Sequence, residues 1–261
     1  MFDFHMHTRV SHDSVADPAD MISAANNINL SEICFTDHYD FNSDPTKEHY
    51  LFKLENYIRE YGKLHSDRLK IRHGVEFGLT PWNQKELAEL IDKYEFDFVL
   101  GSIHFSGGYD PYYEIFWQGK SARQAFEEYL LQELACVKAH DGYDVLGHLN
   151  YVCKSIYNPS KKPLYYKDFS DLADEIMKTI ISKGKGMEVN SSGVDRCGAF
   201  LPDKEFLTRF RELGGEIVTF GSDAHDATRV GQYSREALEI LKDVFGYVCT
   251  FEKRKPIFHK L

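Results

Sequence analysis

The sequence predicts an α/β fold in which seven parallel strands close into a TIM-like barrel, within one domain that covers residues 1–261. Seven strand-then-helix units follow one another, and each return to a parallel strand needs a crossover. Histidines and carboxylates stand at the exits of nearly every predicted strand, and in a barrel all of those ends converge on one face. No glycine-rich nucleotide motif follows the first strand, which disfavours an open doubly wound sheet.

Each element is predicted from the spacing of apolar residues. Short apolar runs predict strands over residues 1–7, 32–36, 69–77, 96–103, 143–147, 186–190 and 216–220. Apolar residues three to four positions apart predict helices over residues 19–28, 48–66, 83–94, 121–139, 169–182, 202–213 and 234–245, followed by a polar tail. Two irregular insertions, 105–118 and 152–167, interrupt this order, and loops of that length are usually lids or binding loops.

The composition excludes several classes of protein. A formal net charge of -10 disfavours nucleic acid and anionic membranes as partners, because both require clustered lysine and arginine. The sequence contains neither an apolar run long enough to cross a membrane nor a secretory signal, which favours a cytoplasmic location. Five cysteines, widely spaced and without a Cys-x-x-Cys pair, are typical of reduced thiols rather than of disulfides or a thiolate zinc site.

The histidines carry the strongest functional signal. His5 and His7 stand two positions apart in the first strand, so their side chains project from the same side. Seven of the twelve histidines lie at or just beyond strand exits, namely His5, His7, His12, His38, His104, His148 and His225. The other five, His49, His65, His73, His140 and His259, lie elsewhere and are predicted to be structural.

Such a set predicts a metal centre with more than one ion. Neutral imidazole is the commonest ligand for Zn, Fe and Mn, and Glu76 and Asp223 add carboxylate oxygens. These ligands exceed the demand of a single ion, so two to three divalent ions are expected, with the choice among Zn, Fe and Mn left open. Paired ions suit displacement at phosphorus. A carboxylate beside a metal-bound water can take its proton, which makes Asp223 and Glu76 catalytic candidates, with Asp223 favoured as the base and a pure ligand role as the alternative.

The motifs that carry a family resemblance are Asp3-Phe4-His5-Met6-His7, Thr36-Asp37-His38, Glu76, His104, His148 and Ser222-Asp223-Ala224-His225. As a set they resemble the PHP (polymerase and histidinol phosphatase) superfamily, over the length of the chain. The chain length and its two insertions are similar to those of the stand-alone histidinol-phosphate phosphatases of that family. The resemblance implies a distorted (β/α)7 barrel with a trinuclear metal centre.

The resemblance also implies a distribution of ligands. One ion would be held by His5, His7, Glu76 and Asp223, with Glu76 bridging to a second ion held by His104 and His148. A third ion would be held by His12, His38 and His225. The implied activity is hydrolysis of the small phosphate monoester L-histidinol phosphate, by attack of a metal-bridging hydroxide on phosphorus.

Two other functions are less consistent with the sequence. A phosphodiesterase or nuclease of the same superfamily is disfavoured by the acidic chain, and a non-catalytic metal-dependent accessory module is disfavoured by the complete ligand set. Phosphate capture needs fixed cationic donors besides the ions. Arg196, in a turn after the sixth predicted strand, is the first candidate, and Arg229 or the pair Lys161 and Lys162 are the alternatives.

Overall fold

The computed structural model describes all 261 residues and builds the chain around one parallel sheet. Its strands are Phe2–Asp3 (β1), Glu32–Phe35 (β2), His38–Asp40 (β3), Lys70–Gly78 (β4), Phe98–Ser102 (β5), Val145–Leu146 (β6), Gly186–Asn190 (β7) and Val218–Gly221 (β8). They pair in the order β1-β2-β4-β5-β6-β7-β8, and every pair is parallel. The predicted order of strands is therefore confirmed.

The second barrel strand is interrupted. β2 pairs with the first half of β4 and β3 pairs with its second half, His38 lying opposite Glu76. The interruption falls at Thr36 and Asp37, where the Asp37 carboxylate accepts hydrogen bonds from the backbone N–H of Thr8 at 2.6 Å and from Ser11 Oγ at 2.7 Å. The segment after Asp37 is thus a short strand that delivers His38 and Asp40 to the sheet.

Hydrogen bonds between the first and last barrel strands bring the sheet to near closure. Phe4 N donates to Phe220 O at 2.9 Å, and Asp223 N donates to His5 O at 2.8 Å. The contact continues beyond the strands, where His7 N donates to Ala224 O at 2.8 Å. With β2 and β3 counted as one interrupted strand, seven strands form a nearly closed TIM-like barrel, as predicted.

Helices cover the outside of the barrel. They are Pro18–Asn27 (α1), Leu54–Tyr61 (α2), Gln84–Lys93 (α3), Glu114–Trp117 (α4), Ala122–Ala139 (α5), Ser170–Ser182 (α6), Val194–Cys197 (α7), Lys204–Glu212 (α8) and Ser234–Val244 (α9). The longest, α5, begins with a capping box in which Ser121 and Gln124 exchange side-chain and backbone hydrogen bonds. The prediction of a helix over 48–66 was too long, because Tyr50 pairs with Asp40 as a bridge and leaves only α2 helical.

The expected polar tail is instead a hairpin of Tyr247–Glu252 (β9) and Lys255–Lys260 (β10). It covers the end of the barrel opposite the strand exits, where the Arg254 guanidinium pairs with Asp144 and donates to Gly142 O at 2.5 Å. Phe251 of β9 enters a cluster of six buried apolar residues with Phe4, Cys34, Phe98, Leu100 and Val145. Because these partners come from the barrel strands, the barrel floor is apolar and closed.

None of the helices combines the length and the apolar character that crossing a membrane requires. All five cysteines are free, in agreement with the sequence-based expectation of reduced thiols.

Candidate metal centre

Polar residues at the strand exits line a cavity of about 900 Å³. The residues of its wall that can bind metal or phosphate include His12, Asp13, His38, Asp40, His104, Asp110, His148, Lys154, Ser192, Arg196, Asp223, His225 and Arg229. Deeper residues stand below the wall, since His5, His7 and Glu76 are fully buried. The barrel therefore presents an apolar floor at one end and a polar, acidic and histidine-rich mouth at the other.

Four side chains from three strand exits form the first ligand group. His5 Nε2 and His7 Nε2 lie 3.1 Å apart, and each faces Glu76 Oε2, at 3.2 and 3.5 Å respectively. Asp223 Oδ1 lies 3.6 Å from His5 Nε2 and 3.2 Å from His7 Nε2. Ligands about 2.1 Å from a tetrahedral ion are separated by about 3.4 Å, so these spacings suit one such ion.

The second ligand group shares Glu76 with the first. The other oxygen of this carboxylate, Oε1, lies 2.9 Å from His148 Nε2 and 3.2 Å from His104 Nε2. The two imidazole nitrogens are 3.3 Å apart. Because its two oxygens face two different pairs of histidines, Glu76 has the geometry of a bridging ligand.

The third group differs from the prediction. His225 Nε2 lies 3.0 Å from Asp13 Oδ2, and His38 Nε2 lies 3.6 Å from the same oxygen. His12 stands outside this group and every other set of converging donors, because its ring stacks on Tyr50 with centroids 4.1 Å apart. The assignment of His12 as a ligand is therefore corrected in favour of its neighbour Asp13. Both residues are polar and adjacent, and only the turn after His7 decides which one faces His38.

Burial and mutual contact shift the pKa values of the clustered donors. Burial disfavours charge on Glu76, yet the pKa of this carboxyl lies well below its usual value because His5, His104 and His38 surround it. Burial likewise lowers the pKa of His104, but Asp40 and Glu76 raise it to about 10. Burial and the neighbouring His225 and His38 hold the pKa of His7 well below its usual value. Glu76 Oε2 is buried without a hydrogen-bond partner, as expected of an atom that binds metal.

Outer hydrogen bonds orient the ligand histidines. His5 Nδ1 contacts Glu188 Oε1 at 2.6 Å, and His104 Nδ1 lies 3.0 Å from both oxygens of Asp40. His7 Nδ1 contacts Ser11 Oγ at 3.2 Å. A partner on Nδ1 leaves Nε2 free to bind a metal ion. Sequence reasoning missed Glu188 and Asp40, although both lie on barrel strands near the exits, a position that could have indicated them.

Asp223 occupies a position that few residue types tolerate. Its φ is 56°, in the left-handed region where aspartate and asparagine are the least unfavourable residues after glycine. Its Oδ2 accepts hydrogen bonds from Lys154 Nζ at 2.6 Å and from Ser192 Oγ at 3.0 Å. Although burial raises it, the pKa of Asp223 lies well below its usual value because of Lys154 and His5. An anionic carboxylate in these contacts suits a metal ligand.

The candidate phosphate ligands are placed differently from one another. Arg196 and Arg229 both line the cavity; Arg196 makes no ion pair, whereas Arg229 Nη2 donates to Asp195 Oδ2 at 3.2 Å. Lys161 and Lys162 lie on an exposed turn outside the cavity, where Asn158 Nδ2 donates to Lys162 O at 2.9 Å. Their assignment to the site is therefore corrected.

Lys154 is the lysine of the second insertion that does reach the cavity, through a short 3-10 helix, Tyr151–Lys154. Sequence reasoning missed it, because a single lysine six residues after the strand-exit His148 carries no distinctive spacing.

The first insertion covers the cavity, as predicted, and forms its aromatic and acidic side. Asp110, Tyr112 and Tyr113 line the cavity. Asp110 Oδ1 accepts hydrogen bonds from Tyr112 N at 2.7 Å and from Tyr151 Oη at 3.0 Å. The two insertions contact each other through Ser155 Oγ, which donates to Tyr112 O at 3.1 Å.

Comparison with known proteins is consistent with this site. A family model described as the PHP domain matches residues 3–192, which include seven of the nine donors in the three groups, from His5 to His148. The chain belongs to the PHP domain family.

Individual relatives within the PHP family cover nearly the whole chain. A probable histidinol-phosphatase of Clostridium acetobutylicum is 34% identical over 97% of this chain and 98% of its own length. The histidinol-phosphatase of Lactococcus lactis subsp. lactis is 32% identical over 97% of this chain and 95% of its own length. A crystal structure of the Lactococcus lactis enzyme complexed with zinc, L-histidinol and phosphate is 30% identical, with a TM-score of 0.87 and 98% of both chains covered.

Proposed function

We propose that this PHP protein is a metal-dependent phosphomonoesterase that hydrolyses L-histidinol phosphate to L-histidinol and phosphate. The observation that carries the proposal is the arrangement of three adjacent donor groups at one barrel mouth, linked by Glu76 and Asp223 and placed beside Lys154 and Arg196. The names of the two relatives, and the zinc, L-histidinol and phosphate bound to the Lactococcus lactis enzyme, support the choice of substrate.

The donor set fits two to three divalent ions. His5, His7, Asp223 and one oxygen of Glu76 would hold the first ion, the other oxygen of Glu76 with His104 and His148 the second, and His38, His225 and Asp13 the third. Nitrogen and oxygen donors accept Zn, Fe and Mn. Such ions supply an activated water for attack on phosphorus and neutralise charge on the phosphate oxygens.

The chain itself offers cationic groups for the phosphate. Lys154 is half-buried beside Asp223, and the attraction of that carboxylate raises the pKa of Lys154 although desolvation lowers it, so the ammonium stays charged. Arg196 lines the same cavity without an anionic partner. A guanidinium can bind two phosphate oxygens side by side, whereas an ammonium acts as a point charge. We assign phosphate binding to Arg196 and Lys154, with Arg229 as a weaker candidate because Asp195 already engages it.

Other residues of the cavity suit the organic part of the substrate. Asp110 and Glu48 provide negative charge there, and Tyr112 and Tyr113 provide aromatic faces. L-Histidinol carries an amine and an imidazole, which such groups bind through charge and stacking. The acidic lining also disfavours a nuclease, because a polyanion would meet these carboxylates beyond the scissile phosphate.

The catalytic roles of Glu76 and Asp223 follow from their contacts. Glu76 would bridge the first two ions. Asp223 would bind the first ion through Oδ1 and, with Oδ2 fixed by Lys154 and Ser192, would orient the attacking water. Its low pKa favours orientation over proton storage, and its role as the base stays a prediction.

A phosphate-release assay tests the proposal. Zinc- or manganese-loaded protein should release phosphate from L-histidinol phosphate with a kcat/KM at least about a hundred-fold above that for a bis-aryl phosphodiester, because the diester neither offers a dianion nor carries a cation. Removal of the ions with a chelator should abolish the activity, and adding them back should restore it. Equal or greater activity on the diester would transfer the assignment to a phosphodiesterase.

A further inference from the structure

One barrel strand, β7, contributes no metal donor. Its inward side chains contact the donor residues of other strands instead. Glu188, Asn190 and Ser192 are two positions apart on and just after β7, so they project from the same side into the barrel. Glu188 is buried, lines no part of the cavity and belongs to none of the converging donor groups. It therefore touches neither substrate nor, on this geometry, an ion.

The two oxygens of Glu188 bind ligands of two different ions. Oε1 contacts His5 Nδ1 at 2.6 Å, in the first group, and Oε2 accepts a hydrogen bond from the backbone N–H of His148 at 2.8 Å, in the second. Asn190 Nδ2 donates to Oε2 at 3.1 Å and holds the carboxylate in this orientation. Each oxygen of Glu188 thus contacts a residue of a different metal site.

His148 depends on this backbone contact, because no hydrogen bond fixes its ring from Nδ1. Its Nδ1 is buried without a partner, whereas His5, His7 and His104 each have a group that fixes Nδ1. It also follows a strand of only two residues, Val145–Leu146, beyond which the ladder ends after Gly147 N donates to Gly101 O. The bond from its backbone N–H to Glu188 therefore fixes the position from which the His148 ring reaches Glu76.

The contact between Glu188 and His5 requires a glycine on the neighbouring strand. A Cβ added to Gly221 on the adjacent β8 would lie 2.2 Å from Glu188 Oε1 and 2.4 Å from His5 Cβ. Such distances are far shorter than van der Waals contact. The glycine thus permits Glu188 to reach His5.

We infer that Glu188 is a positioning residue that couples the first and second metal sites, by fixing the ring of His5 and the backbone of His148 at once. The inference rests on the proposed function, because it concerns the ions of that site. It predicts that loss of Glu188 lowers the affinity for the first and second ions together. The affinity for the third ion, which lies with His38, His225 and Asp13, stays the same.

Zinc titration of three proteins against a chromophoric chelator tests the inference. Glu188→Gln keeps the volume of the side chain but removes its charge and turns an N–H donor toward the N–H of His148 or the Nδ1–H of His5. The matched control is Glu133→Gln, which alters another fully buried glutamate, in α5, outside the metal centre. Removing an outer partner of a metal ligand typically lowers metal affinity by about ten- to a hundred-fold.

We expect Glu188→Gln to bind two zinc ions about ten- to a hundred-fold more weakly and the third with unchanged affinity, while Glu133→Gln matches the wild type. Unchanged affinity for all ions in Glu188→Gln would overturn the inference. So would an equal weakening of all three ions with a lowered melting temperature of the metal-free protein, since that pattern indicates a general structural role. If Glu188→Gln does not fold, Glu188→Asp replaces it, because an aspartate is one methylene too short to reach both partners. Failure of the wild type to bind zinc would contradict the proposed function instead.

Discussion

Single residues at the strand exits differ in how well the sequence predicts them. Donors on a strand or in the extended segment directly after it, such as Glu76, His5 and His7, follow from the two-residue period, which fixes the side from which each projects. His12 and Asp13 lie beyond the strand, in a turn closed by Ser11 N, which donates to Thr8 O at 3.0 Å. The period no longer applies there, so the sequence alone does not tell which neighbour faces inward.

The assignment of Asp13 rather than His12 as a ligand leads to a prediction about two matched variants. Asp13→Ala should lower the metal content by about one ion per chain, because His38 and His225 alone give the third ion only two ligands from this group. His12→Ala should retain all ions, because that ring stacks on Tyr50 and faces no donor group. Elemental analysis of both variants after identical loading and desalting decides the matter. The opposite pattern would restore His12 as the ligand.

The Arg196 guanidinium is predicted to bind the substrate and to leave the binding of the ions unaffected. Arg196→Lys should raise the KM for the phosphomonoester about ten-fold or more, because lysine keeps the charge but loses the planar pair of donors. Metal content should stay constant. Steady-state kinetics provide the measurement, with Lys161→Arg, outside the cavity, as the control variant. An unchanged KM in Arg196→Lys would pass the role to Lys154 or Arg229.

At the level of elements, the strands were predictable and the final hairpin was not. Residues 247–252 form an apolar run like the barrel strands, but the turn that follows is Lys253-Arg254, with φ values of 48° and 65°. Hairpin turns of this conformation normally carry asparagine or glycine, whose absence here removed the usual signal. Tertiary contacts hold the turn in place, since Arg254 pairs with Asp144 and Lys253 N donates to Asp97 Oδ1 at 3.0 Å.

This turn provides a stability prediction. Arg254→Ala should lower the free energy of unfolding by about 1–3 kcal/mol, because it leaves the buried Asp144 carboxylate without its cationic partner. Lys253→Asn, the matched control, should leave it unchanged or raise it slightly, since asparagine tolerates the left-handed conformation better than lysine does. Urea unfolding of both variants provides the comparison. Equal stability of Arg254→Ala and the wild type would show that the hairpin is held by its apolar contacts alone.

The long helix α5 contains a group that should make stability depend on pH. Glu133 is fully buried, neither of its oxygens has a partner, and burial raises its pKa well above the usual 4.5. Above pH 4.5 the folded protein holds this proton while the unfolded chain loses it, so the free energy of unfolding falls as pH rises toward the folded-state pKa. One such group contributes a slope of at most about 1.4 kcal/mol per pH unit.

Glu133→Gln should remove this slope. The free energy of unfolding of the variant, measured in urea between pH 5 and 8, should decrease less with pH than that of the wild type, and the variant should gain relative stability at the alkaline end. Parallel curves for the two proteins would mean that Glu133 keeps its charge through contacts absent from this structure.

For the whole molecule, the two ends of the barrel have opposite character. The floor is apolar and closed by Phe251 of the hairpin, and the mouth gathers buried histidines with Glu76, Asp223, Asp40 and Glu188. The sequence predicted this polarity because the fold brings all strand exits together, but it did not predict the outer carboxylates, whose partners come from residues up to 183 positions away. Such long-range pairs depend on the register of the closed barrel.

Because buried negative charge destabilises the folded chain, we predict that metal ions stabilise the fold as well as take part in the reaction. Glu76 and Asp223 both contact the histidines of the first donor group. Their negative charge is balanced there only by Lys154 and by protons or cations bound to the histidines. Ions that bind only the folded chain stabilise it by about 2.7 kcal/mol each at a hundred times their dissociation constant. Treatment with a chelator should therefore lower the melting temperature by several degrees, about 2–4 °C for each kcal/mol lost in a domain of this size. Zinc or manganese should restore it in calorimetry, and calcium, which prefers six or more oxygen ligands, should not. A melting temperature that does not change on chelation and reconstitution would mean that the protein folds around these charges without help from the ions.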